Sequence, residues 1–222
     1  MLTEPNRIKR EAVKRRKQYE EKSVSPDKVA DHKLDGWFID KPLKHSTKLK
    51  KEKSIAERLE NRFWMLLYKL GYPELSDGRD FWIQLESKGS PAENQKVEVF
   101  SRDEETAIVA VCRASEKLAR RGLAKEIETF SSSKGGLATS IKKHYGTEKK
   151  LKIIWLFVTE NIIWSKPDRD AALAAHIHVV TERELRYYAQ IADHIGKSAR
   201  FQFLAEFLRD QQIPGLSNHT VP

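Results

Sequence analysis

Lys96 to Ser115 (KVEVFSRDEETAIVAVCRAS) holds the residues of this chain whose types and spacing could do chemistry. Two apolar runs of strand type flank an acidic, turn-forming centre at Arg102 to Thr106, the pattern of a hairpin. Alternation along the first run places Val97 and Val99 on one face and Glu98, with Lys96 and Phe100, on the other. The second run, Ala107 to Cys112, is almost continuously apolar, as in a strand buried on both faces. Glu98 then lies opposite the end of that strand, at Val111-Cys112-Arg113. A strand hairpin can supply what metal-assisted phosphodiester hydrolysis needs: an acid on the first strand and acid-x-Lys ending the second. The carboxylates hold Mg²⁺, which activates water and neutralises transition-state charge. Two of those residue types are missing here.

The elements that must position Glu98 read as follows. A helix is expected from Ser54 to Leu70, with Ser54 and Glu57 spaced as a capping box and Gly71 as the stop. Ile55, Leu59, Phe63, Leu66, Leu67 and Leu70 form its apolar stripe. Glu60 lies at the edge of that stripe, and Arg58 or Arg62 is its ordinary partner. Asp80 to Glu86 reads as a strand and Lys88 onward as a loop. After the hairpin, Glu116 to Phe130 reads as a helix with Leu118, Leu123, Ile127 and Phe130 inward. That helix would carry Lys117, Arg120, Arg121 and Lys125 as phosphate contacts or as solvated charge. Ser131-Ser-Ser-Lys-Gly-Gly136 lacks the spacing of a phosphate-binding loop and reads as a break before a short helix through Ile141.

Leu151 to Thr159 (LKIIWLFVT) is expected as a central strand. Asn161 to Trp164 and Ala175 to Val180 are expected as short strands, with a helical turn at Asp168 to Ala174 between them. Glu182 to Ile195 and Ser198 to Gln212 read as closing helices. His176 and His178 would share one side of a strand, but no Cys or third spaced ligand accompanies them, which argues against zinc. The order of elements predicts an α/β fold, a mixed β-sheet flanked by helices.

The net charge of +9 is unevenly spread. Residues 1–53 hold 16 Lys/Arg against 9 Asp/Glu, and residues 54–222 hold 25 against 23. The division is thus a basic arm, 1–53, partly helical (Arg7 to Lys22) or flexible, and a body, 54–222. Such an arm suits phosphate or a protein partner. Its Asp35-Gly-Trp-Phe-Ile39 cluster is expected to dock on the body. The single Cys112 suits a reducing compartment, and neither a membrane span nor a signal peptide is evident. These features predict a cytoplasmic protein with no membrane partner and leave homo-oligomerisation open.

Glu60-Asn-Arg-Phe-Trp64 followed by Leu66-Leu-Tyr-Lys-Leu-Gly71-Tyr resembles the N-terminal region of DGQHR-domain proteins, a bacterial family related to the DNA-phosphorothioation protein DndB. Gly36-Trp37 with the later Lys-rich segment looks like that family's lead-in, and Lys96-Val-Glu-Val-Phe100, Val109-Ala-Val-Cys-Arg113, Asn161-Ile-Ile-Trp164, Asp168 and Ala171 continue the match in order. So do Tyr187-Tyr188, Ala199-Arg-Phe-Gln-Phe-Leu204 and Ile213-Pro214. In longer members a DGQHR domain would begin after Val221-Pro222, so the chain is expected to be truncated or to lack that domain.

The resemblance implies a PD-(D/E)xK, restriction-endonuclease-like domain. Glu60 becomes the helical carboxylate near the metal and Glu98 the first-strand acid, where Asp is usual. Cys112 would offer its backbone carbonyl to the metal. The second acid falls on Val111, which cannot ligate a cation. The lysine falls on Arg113, which stays protonated and does not mimic an ammonium. The expectation is a DNA-binding domain with a degenerate metal site in a DNA-modification or defence setting. An active Mg²⁺-dependent endonuclease with relocated residues (Glu60, Glu86, Glu98) and a protein-interaction module are the alternatives.

Overall fold

Two apolar strands form the centre of the molecule, and their alternating side chains sort the rest of the chain onto two faces. The computed structural model describes residues 5–78, 81–85, 93–145 and 151–208. Strands β1 (Tyr19–Val24), β2 (Phe38–Pro42) and β3 (Thr47–Glu52) make a three-stranded antiparallel sheet, with β3 in the middle. β4 (Glu74–Leu75), β7 (Val99–Arg102), β8 (Thr106–Ala119), β9 (Lys152–Ile162) and β10 (His178–Thr181) make the main sheet, ordered β10-β9-β8-β7-β4. β5 (Phe81–Leu85) and β6 (Glu93–Val97) form a separate ribbon. β8, β9 and β10 are mutually parallel, while β7 and β4 are antiparallel additions, so the sheet is mixed.

The period of two distributes β8 between two cores: Ile108, Ala110 and Cys112 face one, and Ala107, Val109 and Val111 the other. β9 does the same with Leu156 and Val158 against Trp155 and Phe157. Helices α3 (Ile55–Lys69), α6 (Glu182–Ile195) and α7 (Ala199–Leu208) cover the first face. α4 (Ala124–Tyr145) and α5 (Lys166–Ala174), with the β5–β6 ribbon, cover the second. The α/β fold with a helix-flanked mixed sheet is therefore present. α3 starts at the expected capping box: Ser54 Oγ accepts from the Glu57 amide, and the Glu57 carboxylate accepts from the Ser54 amide.

The segment read as a partly helical or flexible arm holds more order than its charge suggests. α1 (Pro5–Arg16) buries Ile8 and Ala12 in the first core, and α2 (Val29–Leu34) joins β1 to β2. The strands were not expected, because Lys and Glu dominate them. β3 anchors them through its buried Thr47 and Leu49, and cross-strand charge adds a little: Lys50 pairs with Asp40 at 2.7 Å, and Lys48 lies between Asp40 and Glu21. The Trp37-Phe38 cluster packs on this sheet, with Lys22 over the Trp37 ring and Tyr19 edge-on to Phe38.

Further expectations are corrected. Residues 116–119 continue β8 instead of starting a helix, because β9 holds them extended: Ala119 pairs with Ile162, and Asn161 Nδ2 donates to the Ser115 carbonyl. Leu118, expected inward, is 70% exposed. Ser131 to Gly136 does not break the chain, since α4 passes through it. Asn161 and Ile162 end β9, and no separate strand reaches Trp164. His176 sits in a turn at φ 51°, outside β10, so it does not share a strand face with His178.

Candidate nucleic-acid site at the hairpin

Glu98 occupies a bend, where the chain leaves β6's pairing with β5 and joins β8 as β7. The bend overturns the expected alternation: Val97 packs in the second core beside Phe100, while Val99 packs in the first. It also turns the Glu98 carboxylate onto the end of β8. There Glu98 Oε2 accepts from the Cys112 amide at 2.5 Å, and Oε1 accepts from Arg113 Nη1 at 2.6 Å. The same Nη1 donates to the Cys112 carbonyl at 2.7 Å. Glu98 and Arg113 are 20% and 31% exposed, so water screens the pair and its net worth is about 1 kcal/mol or less.

Glu60 is buried in α3, on the Cys112 side of the sheet. Burial pushes the Cys112 thiol well above its ordinary range, and the nearby Glu98 and Glu60 carboxylates push it further. The two acids implied by the resemblance thus converge on Cys112. Arg58 reaches Glu52 at 3.4 Å, and Arg62 reaches Glu160 at 2.6 Å.

A cleft of about 360 Å³ opens between the hairpin and α4, lined among others by Glu98, Val111, Arg113, Lys125 and Glu126. Val111 presents methyl groups where a second acid would stand. Glu126 was not anticipated; its first-turn position on α4 became visible only once α4 replaced the expected Glu116–Phe130 helix. Burial alone would raise its carboxyl, but the Arg121 hydrogen bond, a backbone hydrogen bond and the Arg121 and Arg113 charges together hold it below its usual value. Lys117, Arg120, Arg121 and Lys125 do not form one helical face. Lys117 lies on β8, Arg120 and Arg121 on the connection, and Lys125 on the first turn of α4. Of these four only Lys125 lines the cleft. Glu86 lies outside the described residues.

Mg²⁺ takes six oxygens in near-octahedral array and needs carboxylates free to bind it. The residues here do not fit that demand. Glu98 and the Cys112 carbonyl, two of the ligands the resemblance implies, are both taken by Arg113. Among the described residues no cluster of three His, Cys, Asp or Glu is placed to hold a metal.

A second arginine behind this site was also missed. Arg15 projects from α1 onto α3, where Nε donates to Glu11 at 3.0 Å and Nη1 to Asn61 Oδ1 at 3.1 Å. Nη2 donates to the Gly78 carbonyl at 2.5 Å, and the guanidinium lies 4.7 Å from the Trp64 ring centroid. Its position was readable: Ile8, Ala12 and Arg15 fall at i, i+4 and i+7, so Arg15 continues the buried stripe.

No protein-family profile matches the chain, and no curated protein matches it in sequence. Three solved structures resemble it distantly. One is protein VC1899 from Vibrio cholerae, with 9% identity, TM-score 0.41, and coverage of 91% of this chain and 51% of that one. Another is Can2 from Sulfobacillus thermosulfidooxidans in complex with cyclic tetra-adenylate, with 12% identity, TM-score 0.39, and coverage of 85% and 50%. The third is AF1548, a protein of unknown function, with 15% identity, TM-score 0.38, and coverage of 54% of each chain. The matches span about half the length of those structures. Likeness at this level says nothing about activity. Among the described residues no helix is long and apolar enough to cross a membrane.

Proposed function

We propose that the chain is a restriction-endonuclease-like DNA-binding domain whose metal site is closed by its own Arg113. The observation that carries this reading is the position of Arg113 Nη1, bonded at once to the Glu98 carboxylate and the Cys112 carbonyl. A guanidinium there supplies one positive charge where a Mg²⁺ ion would supply two. It also brings no coordinated water to become a nucleophile. With Val111 beside it, the cleft lacks the means to break a phosphate ester. DNA would be held and left intact. The resemblance to DGQHR-domain proteins is the basis for placing this role in bacterial DNA modification or defence.

Two measurements on the whole chain test the reading. In a salt-titrated assay, duplex DNA should bind at low ionic strength and release as salt rises. Supercoiled plasmid with Mg²⁺ or Mn²⁺ should stay supercoiled. Nicking that both a chelator and Glu98→Ala abolish would overturn the closed-site reading in favour of an active endonuclease. Absence of duplex binding at low salt would overturn the DNA-binding reading and leave a protein-interaction module.

A further inference from the structure

We infer that duplex DNA is held by the outer face of α1, away from the cations that follow the hairpin. This rests on the DNA-binding reading above and names its surface. α1 turns Ile8, Ala12, Glu11 and Arg15 inward, and all four are buried. Glu11 is the only acid of the helix and is committed to Arg15. The outer face therefore displays Arg7, Lys9, Arg10, Lys14 and Arg16, with Lys17 just past the helix end, all exposed and with no carboxylate of the face's own. Arg7 and Lys17 reach Asp77 and Glu21 at 2.7 and 2.6 Å, and Lys14 lies 3.9 Å from Glu11. Lys9, Arg10 and Arg16 make no ion pair among the described residues.

Like charges at i, i+3 and i+4 destabilise a helix by about 0.2–0.5 kcal/mol each. Arg7 with Arg10 and Arg10 with Lys14 carry that cost. A polyanion relieves it. The face continues into a groove of about 510 Å³ between α1, α3 and α6, which Arg16 lines together with Arg58, Arg62 and Arg186, these three paired with Glu52, Glu160 and Glu182.

The chemistry of this face selects the polyanion. A helix that binds membranes needs an exposed apolar side, and α1 has spent its own on α3, leaving only Val13 outside. Single-stranded nucleic acid is held through aromatic stacking, and the outer face of α1 has no aromatic residue. Cations spaced along a rod, without rings or an apolar stripe, fit the phosphates of a duplex.

The test compares the whole chain with the triple variant Lys9→Gln, Arg10→Gln, Arg16→Gln, using a labelled duplex of about 25 base pairs over a salt series. All three side chains are exposed, Gln is a good helix former, and loss of Arg10 relieves repulsion, so the melting temperature should not fall. The variant should bind at least about tenfold more weakly at low salt. Its salt slope should shrink by about 2–3, near one for each phosphate that the variant no longer neutralises. Lys117→Gln with Arg120→Gln and Lys125→Gln should change affinity less than about threefold. If wild type binds the duplex and the α1 variant binds equally well, this inference fails while the DNA-binding reading stands. If wild type binds no duplex, the DNA-binding reading itself fails. Tighter binding to a single strand of equal length, or to anionic phospholipid vesicles, would also overturn the inference.

Discussion

Arg15 and Arg113 each hold a glutamate and a backbone carbonyl, and they differ in almost everything else. The Arg15 side chain is 2% exposed and spends all three nitrogens, with Trp64 against its plane. Arg113 is 31% exposed and uses Nη1 alone; its Nε and Nη2 carry no hydrogen bond among the described residues. A charge taken out of water must have every donor matched, or its desolvation is uncompensated. A charge left at a cleft needs a partner on one side only, and its other donors stay free for an incoming oxygen. The first arrangement ties α1 to α3. The second keeps a cation at the mouth of a site.

The contrast predicts its largest effect at Arg15. Arg15→Met keeps the stem packed but leaves the buried Glu11 carboxylate and the Asn61 carbonyl without their donor. The loss should be about 3–5 kcal/mol in urea denaturation, the range for breaking a buried pair from one side. Arg15→Met with Glu11→Leu should recover most of it, because an apolar pair removes both desolvation costs. A loss under about 1 kcal/mol in the single variant would erase the distinction between the two arginines.

How far the sequence reveals these sites depends on how local their causes are. α3 and α6 are legible because a capping box and a helical stripe lie within one stretch, and β9 because its apolar run has no other home. The Glu98–Cys112 relation is legible in outline, since a hairpin turn fixes which residues oppose. What its Arg113 bonds is not, because the Glu98 carboxylate is aimed by a bend between the pairing with β5 and the pairing with β8. α4 is illegible for a similar reason. Ser132 and Ser133 return their hydroxyls to the Thr129 and Phe130 carbonyls instead of breaking the helix. Gly136 lies against Leu85 of β5, where even an added Cβ would make only ordinary contact, so the helix runs on through the glycines. A serine-glycine run has one meaning in isolation and another beneath a neighbouring strand.

At the second arginine the expected effect on stability is smaller and the effect on chemistry larger. Arg113→Ala should cost about 1 kcal/mol or less, because the pair is partly solvated and Glu98 keeps the Cys112 amide. Val111→Asp with Arg113→Lys should fold and should nick plasmid in Mg²⁺. It returns an acid beside Glu98 and frees the Cys112 carbonyl. If the double variant folds, binds DNA and still fails to cut at any Mg²⁺ or Mn²⁺ concentration, Arg113 is not what closes the site.

The smallest effect concerns Lys53, which serves the same buried region as Arg15. Its ammonium is buried and donates to the carbonyls of Lys14, at 3.0 Å, and Arg15, capping the C-terminal turn of α1. Burial lowers its pKa below the usual lysine value, and the Arg15 charge adds to the depression. The sign of the pH dependence follows. Between the folded value and the unfolded value of about 10.4, the unfolded chain binds more protons than the folded one, so stability rises with pH there. Below the folded value both states are protonated and the contribution is flat. Lys53→Met should remove that alkaline rise in urea midpoints measured from about pH 7 to about pH 10.5 while leaving the Arg113 site untouched. If the rise persists unchanged in the variant, Lys53 is not its source. The buried side of the contrast then rests on Arg15 and Glu11 alone.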